Sequence, residues 1–366
     1  MSERLDCAVI GGGVIGLAVA RALALRGREV VVLEAAEAVG TVTSARNSEV
    51  IHAGLYYPPG SLKATLCVAG NRRLVEYCRS HGIEHRLIGK LIVATDAAEE
   101  ARLEALLVTG RANGVPLEDL TGAQARELEP ALTCCRALLS PTTGIIDSHG
   151  LMLALRGEAE AHGAAVALNA PVLSGAVRDD GLLLRVGGAE PMDLLCRQVV
   201  NCAGFDAQRV SATLDGLPAA AVPPRYLCKG NYFALTGRSP FRRLVYPVPV
   251  SAGLGVHYTV DLGGQGRFGP DVEWVDHIDY TVDPRRADSF YGAIRRYWPD
   301  LPDDALHPAY SGIRPKIQAP GASAHDFILS GPSDHGVAGY IALYGIESPG
   351  LTACLTLADR VVELLS

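Results

Sequence analysis

A mostly apolar run from Leu5 to Ile10 gives way to Gly11-Gly12-Gly13-Val14-Ile15-Gly16, then to a helically spaced stretch ending at Gly27, then to Val30-Val31-Val32-Leu33-Glu34. The pattern predicts strand, glycine turn, helix, strand and a closing acid. Gly11 permits the tight turn, Gly13 lets the backbone approach a pyrophosphate, and Gly16 allows close packing of helix on strand. Val14 opens the helix, whose free N–H groups and positive dipole end suit a phosphate. Glu34 stands where a carboxylate accepts both ribose hydroxyls and repels a 2′-phosphate, which argues against NADP. A second match to the glycine pattern, Gly264 to Gly269, is followed by Pro270 and by no helical spacing, so it is expected to be a hairpin turn.

Further along, Ser61 to Ser80 reads as an amphipathic helix and Leu87 to Ala94 as a strand. Glu99 to Ala112 reads as a helix closed by Asn113-Gly114, and His149 to His162 as one stopped by Gly163. Strands are expected around Val166, Val172, Leu182 to Val186 and Val199-Val200. Arg225 to Asp283 is strand-rich with Pro and Gly turns, Ala287 to Tyr297 is helical, and a strand at Tyr340 to Tyr344 precedes a helix from Leu351 to Leu365. Alternating α/β signals at the start, middle and end, with antiparallel signals between them, imply two interleaved domains.

The 366 residues, 48% hydrophobic and 20% charged, suffice for a sizeable core. A net charge of −7 with scattered Lys and Arg gives no footprint for nucleic acid. Nine cysteines, irregularly spaced and without a Cys-x-x-Cys pair, fit reduced thiols in the cytoplasm. No Zn or Ca pattern and no nucleophile elbow occurs, so no metal is expected and hydrolase chemistry is set aside. The apolar stretch from Val14 to Leu25 mimics an export signal, but cleavage there would destroy the glycine turn. No other apolar run reaches the ~20 residues that span a bilayer, so any membrane contact is expected to be peripheral.

The N-terminal pattern, Asn201-Cys202-Ala203-Gly204 after a mid-chain strand, Ser311-Gly312-Ile313-Arg314-Pro315, and Gly345 to Thr352 together resemble the FAD-dependent D-amino-acid oxidase superfamily. Within it, the stretch Thr43 to Lys63 is most similar to the L-2-hydroxyglutarate dehydrogenases and oxidases. Gly89-Lys90-Leu91, Asn113-Gly114, Glu129-Pro130, Pro141 to Ile145 and Gly255 to Thr259 extend the likeness over most of the chain. Two segments depart from the family pattern: Lys229-Gly230-Asn231-Tyr232-Phe233 replaces Arg-Gly-Glu-Tyr-Tyr, and Gly345 to Pro349 replaces an Asn-Ala-Pro-Ser-Pro loop.

The resemblance implies an α/β (α+β overall) fold, with a Rossmann-like FAD-binding domain interleaved with an antiparallel-sheet substrate domain. The first would comprise 1–78, 146–222 and 308–366, the second 79–145 and 223–307. It implies that Thr43, Ser44, Asn47 and Ser48 pass beside the flavin and that Val172, Ala203 and Gly204 line the adenine and pyrophosphate. Gly312 and Arg314 would also border the cofactor. Gly350, Leu351 and Thr352 would open the last helix, whose N–H groups and dipole stabilise negative charge on the reduced flavin.

Arg314 takes the position at which the superfamily clamps a substrate carboxylate, a task for which a planar guanidinium provides a bidentate fork. Read without the family, it is a solvated arginine. Oxidising a 2-hydroxy acid sends hydride from the α-carbon to flavin N5 and takes a proton from the hydroxyl, which calls for a base. His52 and His257, of ten histidines, fall in family-like segments; each reads equally as a base or as a structural histidine. Tyr57, Lys229, Tyr246, Tyr258 and Glu347 are candidate substrate contacts, with core packing the alternative for the tyrosines.

The expected activity is therefore FAD-dependent oxidation of an L-2-hydroxy acid, such as L-2-hydroxyglutarate, to the 2-oxo acid. The expected partners are a small carboxylate and an electron acceptor, O₂ or a quinone. An amine or amino-acid oxidase on the same fold, and a flavin-binding electron-transfer module without a substrate of its own, are the alternatives.

Overall fold

A computed structural model describes residues 3–249 and 255–366. Residues 250–254, inside the strand-rich stretch expected from Arg225 to Asp283, lie outside the described residues.

The opening strand Glu3–Ile10 pairs in parallel with Val30–Leu33 on one side and Met192–Asn201 on the other. Ala165–Ala167 and Tyr340–Tyr344 extend the parallel array at its two ends. Such a sheet is buried on both faces, and the alternation of side chains divides the strand between two cores. Cys7 and Val9 face one core with the helices Val14–Ala24, Ser148–Ala161 and Gly350–Leu365, while Ala8 and Ile10 face another built on the hairpin of Val172–Arg178 and Gly181–Val186. The glycine turn thus emerges at the carboxyl end of the central strands, where open α/β sheets bind ligands.

The second large sheet is mainly antiparallel. The long strands Tyr226–Leu235 and Leu306–Lys316 pair along their length, and Lys90–Ala94 joins Leu244–Pro247 in parallel and Arg136–Ser140 antiparallel. An aromatic core of Phe233, Tyr258, Phe268, Phe290, Tyr297 and Trp298 lies against it. Val50–Ile51, Gly144–Ile146 and His85–Arg86 form a small third sheet. Strand Leu306–Lys316 belongs to the second sheet, although most of its length falls in the segment 308–366 that the family resemblance groups with the nucleotide-binding part.

Local chemistry sets the helix starts. Ser61, Asp96 and Asp147 each accept the backbone N–H three residues on, which fixes the starts of Leu62–Ser80, Ala97–Ala112 and Ser148–Ala161. The strand expected from Leu87 begins only at Lys90, because Gly89 turns the chain at φ +76°. The second glycine motif is a hairpin, with Tyr258–Val260 paired antiparallel to Gly266–Phe268. All nine cysteines are free thiols. Among the described residues no helix is long and apolar enough to cross a membrane, and no cluster of His, Cys, Asp and Glu could hold a metal.

Candidate active site

A cavity of about 1190 Å³ runs from the glycine turn to strand Leu306–Lys316. At its first end, Gly11 has φ +104°, and a Cβ there would meet the Cys202 carbonyl at 2.7 Å. A Cβ on Gly16 would lie 1.9 Å from the Gly11 carbonyl, so the helix sits on the turn at a distance only glycine permits. Gly13 caps helix Val14–Ala24 without any side-chain hydrogen bond, and the Val14 N–H donates to Ser44 Oγ at 3.0 Å. Glu34 is held at the rim, its two oxygens accepting the N–H groups of Gly12 at 2.6 Å and Ala36 at 2.8 Å. Val172, Ala203 and Gly204 complete this end.

The middle of the cavity is a loop braced from the second sheet. Asn47 donates to the Ser44 carbonyl and accepts the Glu49 N–H, both at 2.7 Å, and Tyr310 donates to the Asn47 carbonyl at 2.7 Å. Ser48 and Tyr232 share a hydrogen bond of 2.7 Å. Thr43, Ser44, Asn47, Ser48 and Gly312 all line the cavity. Helix Gly350–Leu365 points its uncapped N-terminus here through Gly350 and Leu351.

At the far end Arg314, Tyr57, Tyr246, His52, His257 and Glu347 converge. Arg314 donates to the Asp271 carbonyl at 2.7 Å and contacts Cys228 Sγ at 3.3 Å. His52 places its Nε2 3.2 Å from Ser348 Oγ, and its buried Nδ1 has no hydrogen-bond partner among the described residues. Burial, reinforced by the charge of Lys90, pulls its pKa down to about 3, so the imidazole is neutral at neutral pH and, as it stands, a weaker base than an ordinary histidine. The His257 ring stacks on Tyr246 with centroids 3.6 Å apart and planes 10° off parallel. Burial pushes the Tyr57 and Tyr246 phenols well above their ordinary range, which keeps both neutral.

Glu347 accepts at one oxygen from Lys316 at 2.6 Å and from Lys63 at 3.2 Å. Burial raises its carboxyl, and the two ammoniums outweigh that and hold it below the ordinary carboxylate range. Lys63 and Lys316 are missing from the sequence-based candidates, as are the cavity residues Tyr56 and Tyr232. Lys316 was accessible to reasoning: two residues beyond Arg314 on a strand, it shares that residue's face.

Four expected contacts lie elsewhere, and strand periodicity explains two. Cys228, Gly230 and Tyr232 line the cavity, so Lys229 points the other way, where it donates to the Thr281 carbonyl at 2.5 Å and stands 3.6 Å from Asp279. His257 faces the cavity, so its neighbour Tyr258 is buried in the aromatic core and donates to the Phe241 carbonyl at 3.2 Å. Thr352 is fully buried and accepts the His52 N–H at 2.9 Å, which ties the last helix to the histidine's backbone. Gly16 acts only through the close packing described above.

The FAD dependent oxidoreductase family, DAO, matches residues 6–364. The chain belongs to this family. The L-2-hydroxyglutarate dehydrogenase of Arabidopsis thaliana mitochondria is 46% identical over 99% of this chain and 83% of its own length. The L-2-hydroxyglutarate dehydrogenase of Salmonella houtenae is 29% identical over 98% and 92%. Among solved structures, the FAD-bound L-α-glycerophosphate oxidase of Mycoplasma pneumoniae superposes with TM-score 0.88 at 24% identity, covering 99% of this chain and 95% of its own. Glycine oxidase of Geobacillus kaustophilus gives TM-score 0.82 at 22% identity, covering 100% and 95%. These two likenesses confirm the fold, a Rossmann-like FAD-binding architecture. The DAO cofactor fits this cavity: the Gly11 and Gly13 cradle, the fixed Glu34 carboxylate, the uncapped helix at Gly350 and the unpartnered His52 nitrogen are the features an elongated dinucleotide would engage.

Proposed function

We propose that this DAO-family enzyme oxidises an L-2-hydroxy acid, with L-2-hydroxyglutarate the first candidate, to the corresponding 2-oxo acid. The observation that carries the reading is the pairing, in one cavity, of a neutral His52 with the Arg314 guanidinium. Arg314 holds the substrate carboxylate, and His52, a weak base at rest, accepts the hydroxyl proton as hydride loss from the α-carbon turns that hydroxyl into a strongly acidic protonated carbonyl. When bound, FAD supplies the two-electron acceptor, and the electrons pass on to O₂ or a quinone. Tyr57, Tyr246 and His257 shape the pocket around the substrate chain, and Glu347 fixes Lys63 and Lys316 beside it. Gly11, Gly13, Val14 and Glu34 serve the adenosine half of the cofactor, and the loop from Thr43 to Ser48 with Gly350 and Leu351 serves the flavin. The free thiols support a reducing compartment such as the cytoplasm.

The test is product analysis with an artificial electron acceptor. The purified flavoprotein is expected to form 2-oxoglutarate from L-2-hydroxyglutarate and none from the D-enantiomer. Turnover of amines alone would replace the reading with an amine oxidase.

A further inference from the structure

Lys90 opens strand Lys90–Ala94 and is fully buried, with Leu244 and Ser140 as its cross-strand partners. Its Nζ has no hydrogen-bond partner among the described residues. It sits 4.6 Å from the centroid of the Tyr56 ring and 4.8 Å from that of Tyr246, both of which line the cavity. Ring faces offset only part of the cost of burying an ammonium without an anion.

Among the described residues, the groups around it supply no counter-charge. Helix Leu62–Ser80 brings Cys67, whose thiol burial pushes up to about 12. The segment after Val50–Ile51 brings His52, held near 3, and Tyr56, whose phenol burial pushes above its ordinary range. Strand Leu244–Pro247 brings Tyr246, shifted the same way. Ser140 and Thr143 bond each other at 2.9 Å. All these groups are neutral at neutral pH. The cavity carboxylates nearest the far end are engaged: Glu347 holds two lysines, and Asp326 accepts the N–H groups of Leu62 and Lys63.

We propose that Lys90 is a positioning residue that sets specificity for anions: lodged behind Tyr56 and Tyr246, its ammonium projects a positive potential into the cavity, and the ligand carboxylate is its counter-charge. The inference rests on the hydroxy-acid reading for the identity of the anion. Through a wall of aromatic rings the attraction is screened far less than in water. Burial, partly opposed by Cys67, lowers the Lys90 pKa to about 7. The positive charge is therefore present below neutral pH and lost above it. By linkage, an anion that binds near Lys90 raises its proton affinity and draws in a proton.

The experiment uses the FAD-loaded full chain with glutarate, an unreactive dicarboxylate, and its neutral diamide glutaramide. Dissociation constants are read from the perturbed flavin spectrum at pH 6 and pH 9. Wild-type protein is expected to bind glutarate about tenfold more tightly at pH 6. Lys90→Met should show the weaker value at both pH values and bind glutaramide as wild type does. Lys90→Arg, charged throughout, should bind tightly at both. Calorimetry of the wild type at pH 8 in buffers of different ionisation enthalpy should register proton uptake on glutarate binding, a readout that needs no variant. Unchanged glutarate binding by Lys90→Met, an equal loss for glutaramide, or no proton uptake would overturn the proposal. Failure of wild-type protein to bind glutarate at either pH would remove the hydroxy-acid reading with it, whereas normal binding that ignores Lys90 removes this inference alone.

Discussion

A Cβ added to Gly312 would lie 2.1 Å from the carbonyl oxygen of Arg46, so the strand carrying Arg314 and the loop carrying Ser44, Asn47 and Ser48 touch backbone to backbone. The contact sets the spacing between the proposed substrate clamp and the loop proposed to pass beside the flavin. Gly312→Ala must push the two apart, at a cost of about 1–3 kcal/mol typical of overpacking. The expected outcome is a lower melting temperature together with weaker FAD retention on gel filtration. Full FAD retention would show that the loop does not depend on this contact.

Arg314 is oriented by the Asp271 carbonyl, and its role rests on a planar fork. Arg314→Lys keeps the charge and loses the bidentate geometry. Loss of one charged hydrogen bond costs roughly 1.5–3 kcal/mol, so kcat/KM for the hydroxy acid should fall by about ten- to a hundredfold, mostly through KM. Unchanged steady-state kinetics would exclude Arg314 from substrate binding.

His52 has a depressed pKa in the folded protein, about 3 against an ordinary 6.5. The unfolded chain therefore binds the proton first as pH falls through 6.5, and the fold loses stability over that range while remaining unaffected above it. At pH 5 the loss from this residue is about 2 kcal/mol. Denaturant unfolding of His52→Gln at pH 7 and pH 5 should show a smaller acid-induced loss than wild type. An identical loss would mean that His52 is readily protonated in the fold. The same variant should lower the rate of hydroxy-acid oxidation by roughly 10²–10⁴-fold, as expected for removal of a base.

Glu347 holds the buried Lys63 and the partly buried Lys316 through one oxygen. Glu347→Gln leaves Lys63 and Lys316 facing each other without their anion, and breaking a buried pair in this way costs about 3–5 kcal/mol. Thermal unfolding should register the drop. High concentrations of a dicarboxylate should recover part of it, because the ligand then replaces the missing charge.

The sequence was most legible where chemistry is local. The Gly11 to Glu34 unit, the cap at Ser61 and the helix that stops before Gly163 follow from residue types at fixed spacing, and the structure places them within a few residues of expectation. Short strands were not legible: Glu118–Thr121 and Gly144–Ile146 hold four and three residues, too few to show a period, and owe their form to the neighbours they pair with. At the site, the cradle was readable because glycine is required there for backbone space, and Arg314 stands on the cavity wall as expected. Lys229 and Tyr258 went wrong because strand phase decides which of two neighbours faces a cavity, and that phase is set by pairing across the sheet. Lys90 looked like part of a hydrophobic strand, and only the structure reveals it as a buried ammonium against two rings, with no hydrogen-bond partner among the described residues.

The central claim is that this cavity oxidises an L-2-hydroxy acid, and anaerobic stopped-flow reduction of the bound flavin tests it most directly. L-2-hydroxyglutarate should bleach the oxidised flavin absorbance in wild-type protein, the D-enantiomer should leave it intact, and His52→Gln should slow the bleaching while retaining FAD. A flavin that L-2-hydroxyglutarate and other L-2-hydroxy acids leave oxidised, or one that the D-enantiomer reduces equally fast, would contradict the account.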